Sequence, residues 1–153
     1  MGLGGIISPF NAWLMFRGLR TLQARIDRIS ETTIKVLEYL ENHPMVTDVL
    51  HPLSKRHPQY NLAVKQMLKP TGLFSVRLSV TDKNKIELFV NSLRQFIIGV
   101  SWGGHESLVF PALSFDEQRT KDGYSNNLIR FYIGLDEADS LIQDLEQAFG
   151  KII

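Results

Sequence analysis

The chain of 153 residues contains no cysteine, which excludes disulfides, thiolate nucleophiles and cysteine-ligated metals and suits a cytoplasmic protein. Its net charge is only +1, so nothing predicts nucleic acid or an anionic membrane surface as a partner. No apolar run approaches the ~20 residues that span a bilayer, so we expect no membrane segment. Residues 1–7 are too short for a signal peptide and lack its basic flank.

The composition, 44% apolar and 22% charged, is that of an ordinary globular protein, and the length predicts a single domain over residues 1–153. Ser8 and Pro9 predict a helix start, as N-cap and first helical residue. Apolar residues then recur at spacings of three and four, which predicts one long linking helix over residues 1–42. A helix this long would project past its own core and pack on another domain or subunit. The stripe comprises Met15, Leu19, Leu22, Ile26, Ile29, Thr33, Val36 and Leu40.

Residues 43–153 alternate between strand and helix patterns. The clearest strand is predicted at 73–80, where Phe74, Val76 and Leu78 share one face. The pattern as a whole predicts an α/β (α+β) sandwich, a small mostly antiparallel sheet with helices on one face and the other face left open. The remaining strands are predicted at 46–50, 96–100, 107–110 and 128–133. Helices are predicted at 59–68, from Asp82 to about Gln95 and from Asp136 to Gly150, and a loop or short helix at 115–127.

Arg130 lies between Ile129 and Phe131, so strand alternation sends its side chain to the open face of the sheet. A guanidinium group can hold a carboxylate by two parallel hydrogen bonds. Pattern alone favours a simpler explanation, which is an arginine on a solvated sheet face or in an ion pair with Glu106 or Asp136.

The segment Ser101-Trp102-Gly103-Gly104 can offer backbone N–H groups to an anion, because glycine permits a tight turn and a close approach. Pattern alone again favours the simpler alternative, an ordinary connection between strands. Trp102 could line a pocket or fill the core.

The tripeptide His105-Glu106-Ser107 suggests a hydrolase, with histidine as base and serine as nucleophile. Three successive residues cannot readily converge on one substrate atom, and the chain has no nucleophile elbow. We therefore predict no catalytic residue here. His43, His51 and His57 flank prolines in predicted loops and lack the spacing of metal ligands, so we predict surface histidines and no metal site.

Several segments, in order over nearly the whole chain, resemble the C-terminal part of the Cys/Met-metabolism pyridoxal-phosphate enzymes. These are the transsulfuration enzymes: cystathionine β-lyase, cystathionine γ-lyase, cystathionine γ-synthase and methionine γ-lyase. The segments are Gly5-Ile-Ile-Ser-Pro-Phe-Asn-Ala-Trp-Leu-Met-Phe-Arg-Gly-Leu-Arg-Thr-Leu22, Leu40-Glu-Asn-His-Pro-Met-Val-Thr-Asp-Val-Leu-His-Pro52, Gly72-Leu-Phe-Ser75, Ser101-Trp-Gly-Gly-His-Glu-Ser-Leu108 and Leu128-Ile-Arg-Phe-Tyr-Ile-Gly-Leu135.

The resemblance implies the C-terminal domain of a fold type I enzyme, which closes over a substrate held by a large cofactor domain. It implies that Arg130 binds the substrate α-carboxylate and that Ser101 and Trp102 contribute to the same grip. Trp102 stands where many members have leucine and resembles bacterial cystathionine β-lyases. We therefore expect a C–S lyase acting on an amino acid such as cystathionine, with the other members of the family as alternatives.

The chain departs from the family in lacking the Ser-x-Thr-Lys cofactor motif, the aspartate that pairs with the pyridine nitrogen and the tyrosine that stacks on the ring. We therefore expect no cofactor-binding residue, no covalently bound pyridoxal phosphate and no activity without the missing pyridoxal-phosphate domain as partner. The long helix and the open sheet face predict a homo-oligomer. The alternative is a non-catalytic dimerisation or regulatory module derived from this family.

Overall fold

The computed structural model describes residues 5–111 and 126–153, in which helices alternate with the strands of one sheet. Within these ranges the helices are α1 (Pro9–Leu19), α2 (Leu22–Glu41), α3 (Tyr60–Gln66), α4 (Lys83–Ser92) and α5 (Ala138–Phe149). The strands are β1 (Val46–Leu50), β2 (Leu73–Leu78), β3 (Ile97–Ile98), β4 (Leu108–Pro111) and β5 (Leu128–Tyr132). None of the described helices combines the length and apolar character needed to cross a membrane. The loop or short helix predicted at 115–127 lies almost wholly outside the described residues.

The five described strands form one sheet in the order β1-β2-β5-β4-β3. Every pairing is antiparallel except that of the short edge strand β3 with β4. The mixed architecture and the mostly antiparallel sheet predicted from the sequence are therefore confirmed. Strand β5 lies at the centre, so residues on its two faces are placed by neighbours on both sides.

One face of the sheet is covered by helices α2, α4 and α5. Phe74, Val76 and Leu78 on β2 and Ile129 and Phe131 on β5 are buried against these helices, as strand alternation predicts. Burying each such side chain contributes about 1.5–3 kcal/mol to folding. The intervening residues of β2 and β5 are only half-buried, apart from Tyr132, and form the open face.

The long N-terminal helix predicted from the apolar stripe is wrong as a continuous element, because it breaks between α1 and α2. At the break the backbone of Thr21 leaves the helical region (φ −110°, ψ 3°). The carbonyl of Gly18 accepts hydrogen bonds from the N–H and hydroxyl of Thr21, each 3.4 Å long, and from Nη2 of Arg25 at 2.9 Å. A threonine hydroxyl competes in this way with the helical hydrogen-bond pattern. No core packing spans the break to hold one straight helix, because α1 buries no residue.

Helix α1 presents apolar side chains on its surface. Its Ser8 cap and Pro9 start are confirmed, with the N–H of Asn11 donating to Ser8 Oγ at 3.3 Å. The exposed apolar residues of the helix are Phe10, Trp13, Leu14, Met15, Phe16 and Leu19. Within the described part of the chain, α1 has contacts chiefly with α2, so this surface remains open.

The two later helix starts differ from each other. Asp82 caps α4 as predicted, accepting a 2.8 Å hydrogen bond from the N–H of Asn84. The predicted cap Asp136 is wrong, because the N-cap position of α5 is Glu137. The carboxylate of Asp136 instead accepts a 2.6 Å hydrogen bond from the buried hydroxyl of Ser107, which needs a partner there. Gly150 ends α5 as predicted.

A buried carboxylate on α5 shapes the connection from α4 to β3. Asp144 accepts hydrogen bonds from the backbone N–H groups of Arg94, Gln95 and Phe96, the shortest being 2.7 Å. These N–H groups are thereby withdrawn from a helix, so α4 ends at Ser92 rather than near Gln95 as predicted. The Asp144 carboxylate thus joins α5 to the segment that leads into strand β3.

We expect Asp144→Asn to lower the free energy of unfolding by about 1–3 kcal/mol, because an amide N–H₂ would face buried backbone donors. Urea unfolding followed by circular dichroism measures this change. Asp139→Asn, at an exposed site on the same helix, is the control and should cost less than about 1 kcal/mol. Equal effects of the two substitutions would contradict the assignment of Asp144.

Candidate functional site

The open face of the sheet carries Arg130 at its centre. On β5 it stands opposite Ser75 of β2 and Phe110 of β4. Its guanidinium carbon lies 5.2 Å from the centre of the Phe110 ring, within the range of a cation–π contact. The two neighbouring strands therefore confine Arg130 on either side.

Arg130 also contacts the Gly-rich segment selected from the sequence. Its Nη2 donates a 2.6 Å hydrogen bond to the carbonyl oxygen of Val100, the residue before Ser101. Ser101 and Trp102 are both exposed there, Trp102 with 62% of its surface accessible. The structure therefore brings Arg130 and the Ser101–Trp102 segment to the same place, although Trp102 and Arg130 are 28 positions apart in the chain.

The alternative ion pairs weighed for Arg130 are not formed in the structure. Glu106 lies 3.5 Å from Nδ1 of His105, and Asp136 binds Ser107. Among residues 5–111 and 126–153, no carboxylate makes a salt bridge with Arg130. A guanidinium group has five N–H donors, and the hydrogen bond to Val100 uses one of them. The charge of Arg130 is therefore not neutralised by any described residue.

The turn after Trp102 depends on glycine. Gly103 has φ +90°, a conformation that other residues rarely adopt. The carbonyl oxygen of Gly104 accepts a 3.2 Å hydrogen bond from the hydroxyl of Tyr132. Tyr132 was not selected from the sequence. Its one signal there is its position two residues after Arg130, which alternation assigns to the same face of β5.

The chain beyond this turn lies tightly against the end of β5. The N–H of Leu135 donates to the carbonyl of His105 at 2.8 Å. A Cβ atom on Gly134 would fall 2.1 Å from that carbonyl oxygen, so only glycine allows the approach. Ser107 Oγ also accepts a 3.0 Å hydrogen bond from the N–H of Gly134. The Gly-rich segment is thus attached to β5 and the residues that follow it.

The His105-Glu106-Ser107 tripeptide does not assemble a nucleophile with a base. Ser107 is buried, and its hydroxyl donates to Asp136 rather than to a histidine. The His105 side chain is exposed and points to Glu106. Ser107 therefore supports the turn, as its two hydrogen bonds show.

The prediction of surface histidines is wrong for His51, which is completely buried. Its Nδ1 accepts a 3.1 Å hydrogen bond from the N–H of Leu53, which fixes the loop after β1. His43 is half-buried, with its ring stacked 3.9 Å from that of Phe149. Proline-flanked loops carry no hydrophobic periodicity, so no sequence pattern indicates this burial. Within the described residues, no group of three or more histidine, aspartate or glutamate side chains could hold a metal ion.

Burial lowers the pKa of His51, with the nearby His57 charge acting in the same direction and the backbone of Thr71 and the charge of Glu41 opposing it. A lowered folded-state pKa means that stability is fully present above the unfolded value of about 6.5 and falls as the pH drops below it. We expect urea unfolding to show this loss in the wild type and a weaker loss in His51→Asn. The amide oxygen of Asn lies where Nδ1 of His51 lies, so it can still accept the bond from Leu53, and it does not titrate. His105→Asn, at an exposed histidine, is the control, and an unchanged pH dependence in His51→Asn would contradict the assignment.

Fold and site together define an α+β domain whose open sheet face carries a Gly-rich turn beside an arginine that has no carboxylate partner among the described residues. Comparison with known proteins identifies its family. A sequence model described as "Cys/Met metabolism PLP-dependent enzyme" matches residues 1–150. The chain belongs to this family, as the ordered motifs predicted.

Relatives with different activities match the chain about equally well. It is 33% identical to cystathionine gamma-lyase of Bacillus subtilis and 34% identical to cystathionine beta-lyase of Lactococcus lactis, in each case over 97% of this chain and 40% of the relative. Cystathionine gamma synthase of Xanthomonas oryzae pv. oryzae, solved in complex with aminoacrylate and cysteine, superposes with a TM-score of 0.84 at 34% identity. That match covers 95% of this chain and 39% of the solved one. The chain therefore spans about two fifths of the length of the relatives it matches.

The family's cofactor is pyridoxal phosphate, which such enzymes hold through a lysine. Among the described residues, three lysines have polar partners. Lys69 pairs with Asp27, Lys83 with Glu87, and Lys85 with the carbonyl of Ile152. These three amines are engaged by other groups, so no covalent step is assigned to them.

Proposed function

We propose that this chain is the substrate-carboxylate-binding domain of a pyridoxal-phosphate-dependent C–S lyase. Arg130 would bind the α-carboxylate of an amino acid such as cystathionine, with Ser101 and Trp102 completing the grip. The observation that carries the proposal is the state of Arg130. It is fixed by Val100 and Phe110 yet paired with no carboxylate in the described part of the chain.

The physical basis is a charge-assisted hydrogen bond. The Arg130 donors that Val100 leaves unused can meet both oxygens of a carboxylate, the geometry that guanidinium groups favour. The hydroxyl of the exposed Ser101 and the exposed Trp102 ring lie on the adjoining segment. Ser101 can donate to the same carboxylate, and Trp102 can exclude water from one side of it. Each hydrogen bond to a charged group contributes about 1.5–3 kcal/mol.

The cofactor, when bound in the intact enzyme, stabilises negative charge at the substrate Cα. The role proposed for this chain is to bind and orient the substrate, so it would be inactive alone. The residues that hold the cofactor would then belong to the three fifths of the relatives' length that this chain does not span. The exposed apolar side chains of α1 support a contact with that domain or with a second copy in a homo-oligomer.

Within the family, we propose a β-lyase. The support is Trp102, the residue that resembles bacterial cystathionine β-lyases and that stands exposed beside Arg130. A large aromatic side chain next to the carboxylate would restrict the space available to the rest of the substrate, which is where β- and γ-elimination differ.

The carboxylate grip predicts a difference between L-alanine and L-alaninamide, which lacks the carboxylate. We expect L-alanine to shift the indole N–H signal of Trp102 in an NMR titration, and the amide to shift it far less. Arg130→Gln should weaken L-alanine binding about 10- to 100-fold, the loss of one hydrogen bond to a charged group.

Arg77→Gln is the matched control for this titration. Arg77 lies on the same open face but faces Asp48 at 3.5 Å, so its loss removes an equal charge without touching the grip. Equal affinity for the acid and the amide, or equal effects of the two arginine substitutions, would contradict the proposal.

The proposed reaction class predicts the product of a reconstituted enzyme. We expect the chain, co-expressed with the cofactor-bearing part of a family relative, to release pyruvate from L-cystathionine, because β-elimination breaks the bond from sulfur to the three-carbon unit. Chromatography of the 2-oxo acids measures the product. Release of 2-oxobutyrate would show γ-elimination, and an inactive complex that retains bound cofactor would contradict the lyase proposal itself.

A further inference from the structure

Two alternate residues of β5 bind the two ends of one short segment. Arg130 donates to the carbonyl oxygen of Val100 at 2.6 Å, and Tyr132 donates to the carbonyl oxygen of Gly104 at 3.2 Å. Residues two apart on a strand share a face and are separated by about 7 Å. Ser101 and Trp102, the other members of the proposed grip, lie between these two attachment points.

We propose that Tyr132 is a positioning residue, which holds the Gly104 end of the segment so that Ser101 and Trp102 are presented beside Arg130. That the ligand is a substrate carboxylate rests on the proposed function. The restraint on the segment is independent of that function, because it follows from the two hydrogen bonds.

Burial divides the roles of the two aromatic residues. Tyr132 is only 5% exposed, whereas Trp102 is 62% exposed. Tyr132 stands opposite Leu73 of β2 and Leu108 of β4 in the sheet. A buried hydroxyl retains its hydrogen bond because the unpaired group would cost free energy. The buried Tyr132 hydroxyl thus holds the Gly104 end of a segment whose Trp102 side chain faces solvent.

The backbone between the two attachment points cannot set its own shape. Gly103 has φ +90° and no side chain, and a Cβ built on it would meet no atom within 4 Å. Glycine permits this conformation without enforcing it, since it populates many others equally well. The conformation of the segment therefore has to come from its attachments.

The next hydrogen bond along the chain limits how much the segment would loosen if the Tyr132 hydroxyl were lost. The N–H of Leu135 binds the carbonyl of His105 only one residue beyond Gly104. Loss of the Tyr132 hydroxyl would therefore lengthen the free segment by one residue and would leave the turn as a whole in place. Burial also raises the pKa of Tyr132, so the hydroxyl remains a donor throughout the neutral range.

Tyr132→Phe tests the inference, because it removes the hydroxyl and keeps the ring. In a Trp13→Phe background Trp102 is the only tryptophan, and its time-resolved fluorescence anisotropy reports the local motion of the segment. We expect faster local decay in Tyr132→Phe and a two- to tenfold weaker affinity for L-alanine, about the value of one neutral hydrogen bond. Tyr39→Phe is the matched control, since the Tyr39 hydroxyl is buried with no hydrogen-bond partner among the described residues.

Unchanged Trp102 anisotropy in Tyr132→Phe would overturn the inference, whatever happens to affinity. If the wild type fails to distinguish L-alanine from L-alaninamide, the proposed function fails, and the anisotropy still decides whether Tyr132 restrains the segment. If Tyr132→Phe does not fold, NMR of the wild type provides the test. A slowly exchanging Tyr132 hydroxyl proton near Gly104 supports the hydrogen bond, and a rapidly exchanging one overturns it.

Discussion

The period of two in strand β5 is the constraint on which the rest of the structure depends. Ile129 and Phe131 face the helices and fix the strand in the centre of the sheet. That burial fixes the face on which Arg130 and Tyr132 lie, because a shift of the strand register by one residue would exchange the two faces. The same apolar contacts that stabilise the domain therefore set the position of its charged group. Core residues of β5 and Arg130, the residue of the proposed grip, are consecutive in the chain and cannot move independently.

Regular elements were predictable because their signals are local. The alternation of Phe74, Val76 and Leu78, and the caps Ser8 and Asp82, need only neighbouring residues for their interpretation. The errors arose where a distant partner decides the outcome. Asp136 has the chemistry of a cap but binds Ser107, 29 residues away, and Asp144 ends α4 from another helix. His51 is buried by the fold around its loop. The apolar stripe of the first helices continues across Thr21, yet α1 has nothing to pack against.

The candidate site divides in the same way. Alternation predicted that Arg130 reaches the open face, and glycine predicted the turn at Gly103. Only the family resemblance predicted that Arg130 and the Gly-rich turn lie close together. No local pattern relates Val100 to Arg130, 30 positions later. Tyr132 escaped notice since its residue type suits any buried strand. Its role follows from a hydrogen bond to a backbone carbonyl, a partner that every residue carries and no sequence distinguishes.

The choice of partner for Arg130 also bears on how such a domain could act. An arginine paired with a carboxylate of its own chain would be well oriented but electrically neutral, and an incoming carboxylate would have to displace that partner. Among the described residues, the carbonyl of Val100 and the ring of Phe110 orient the guanidinium through partial charges and do not neutralise its unit charge. Both contacts come from the fold itself. If Arg130 binds a carboxylate as proposed, a side chain oriented in this way would lose little entropy on binding, so more of the charge interaction would remain as affinity.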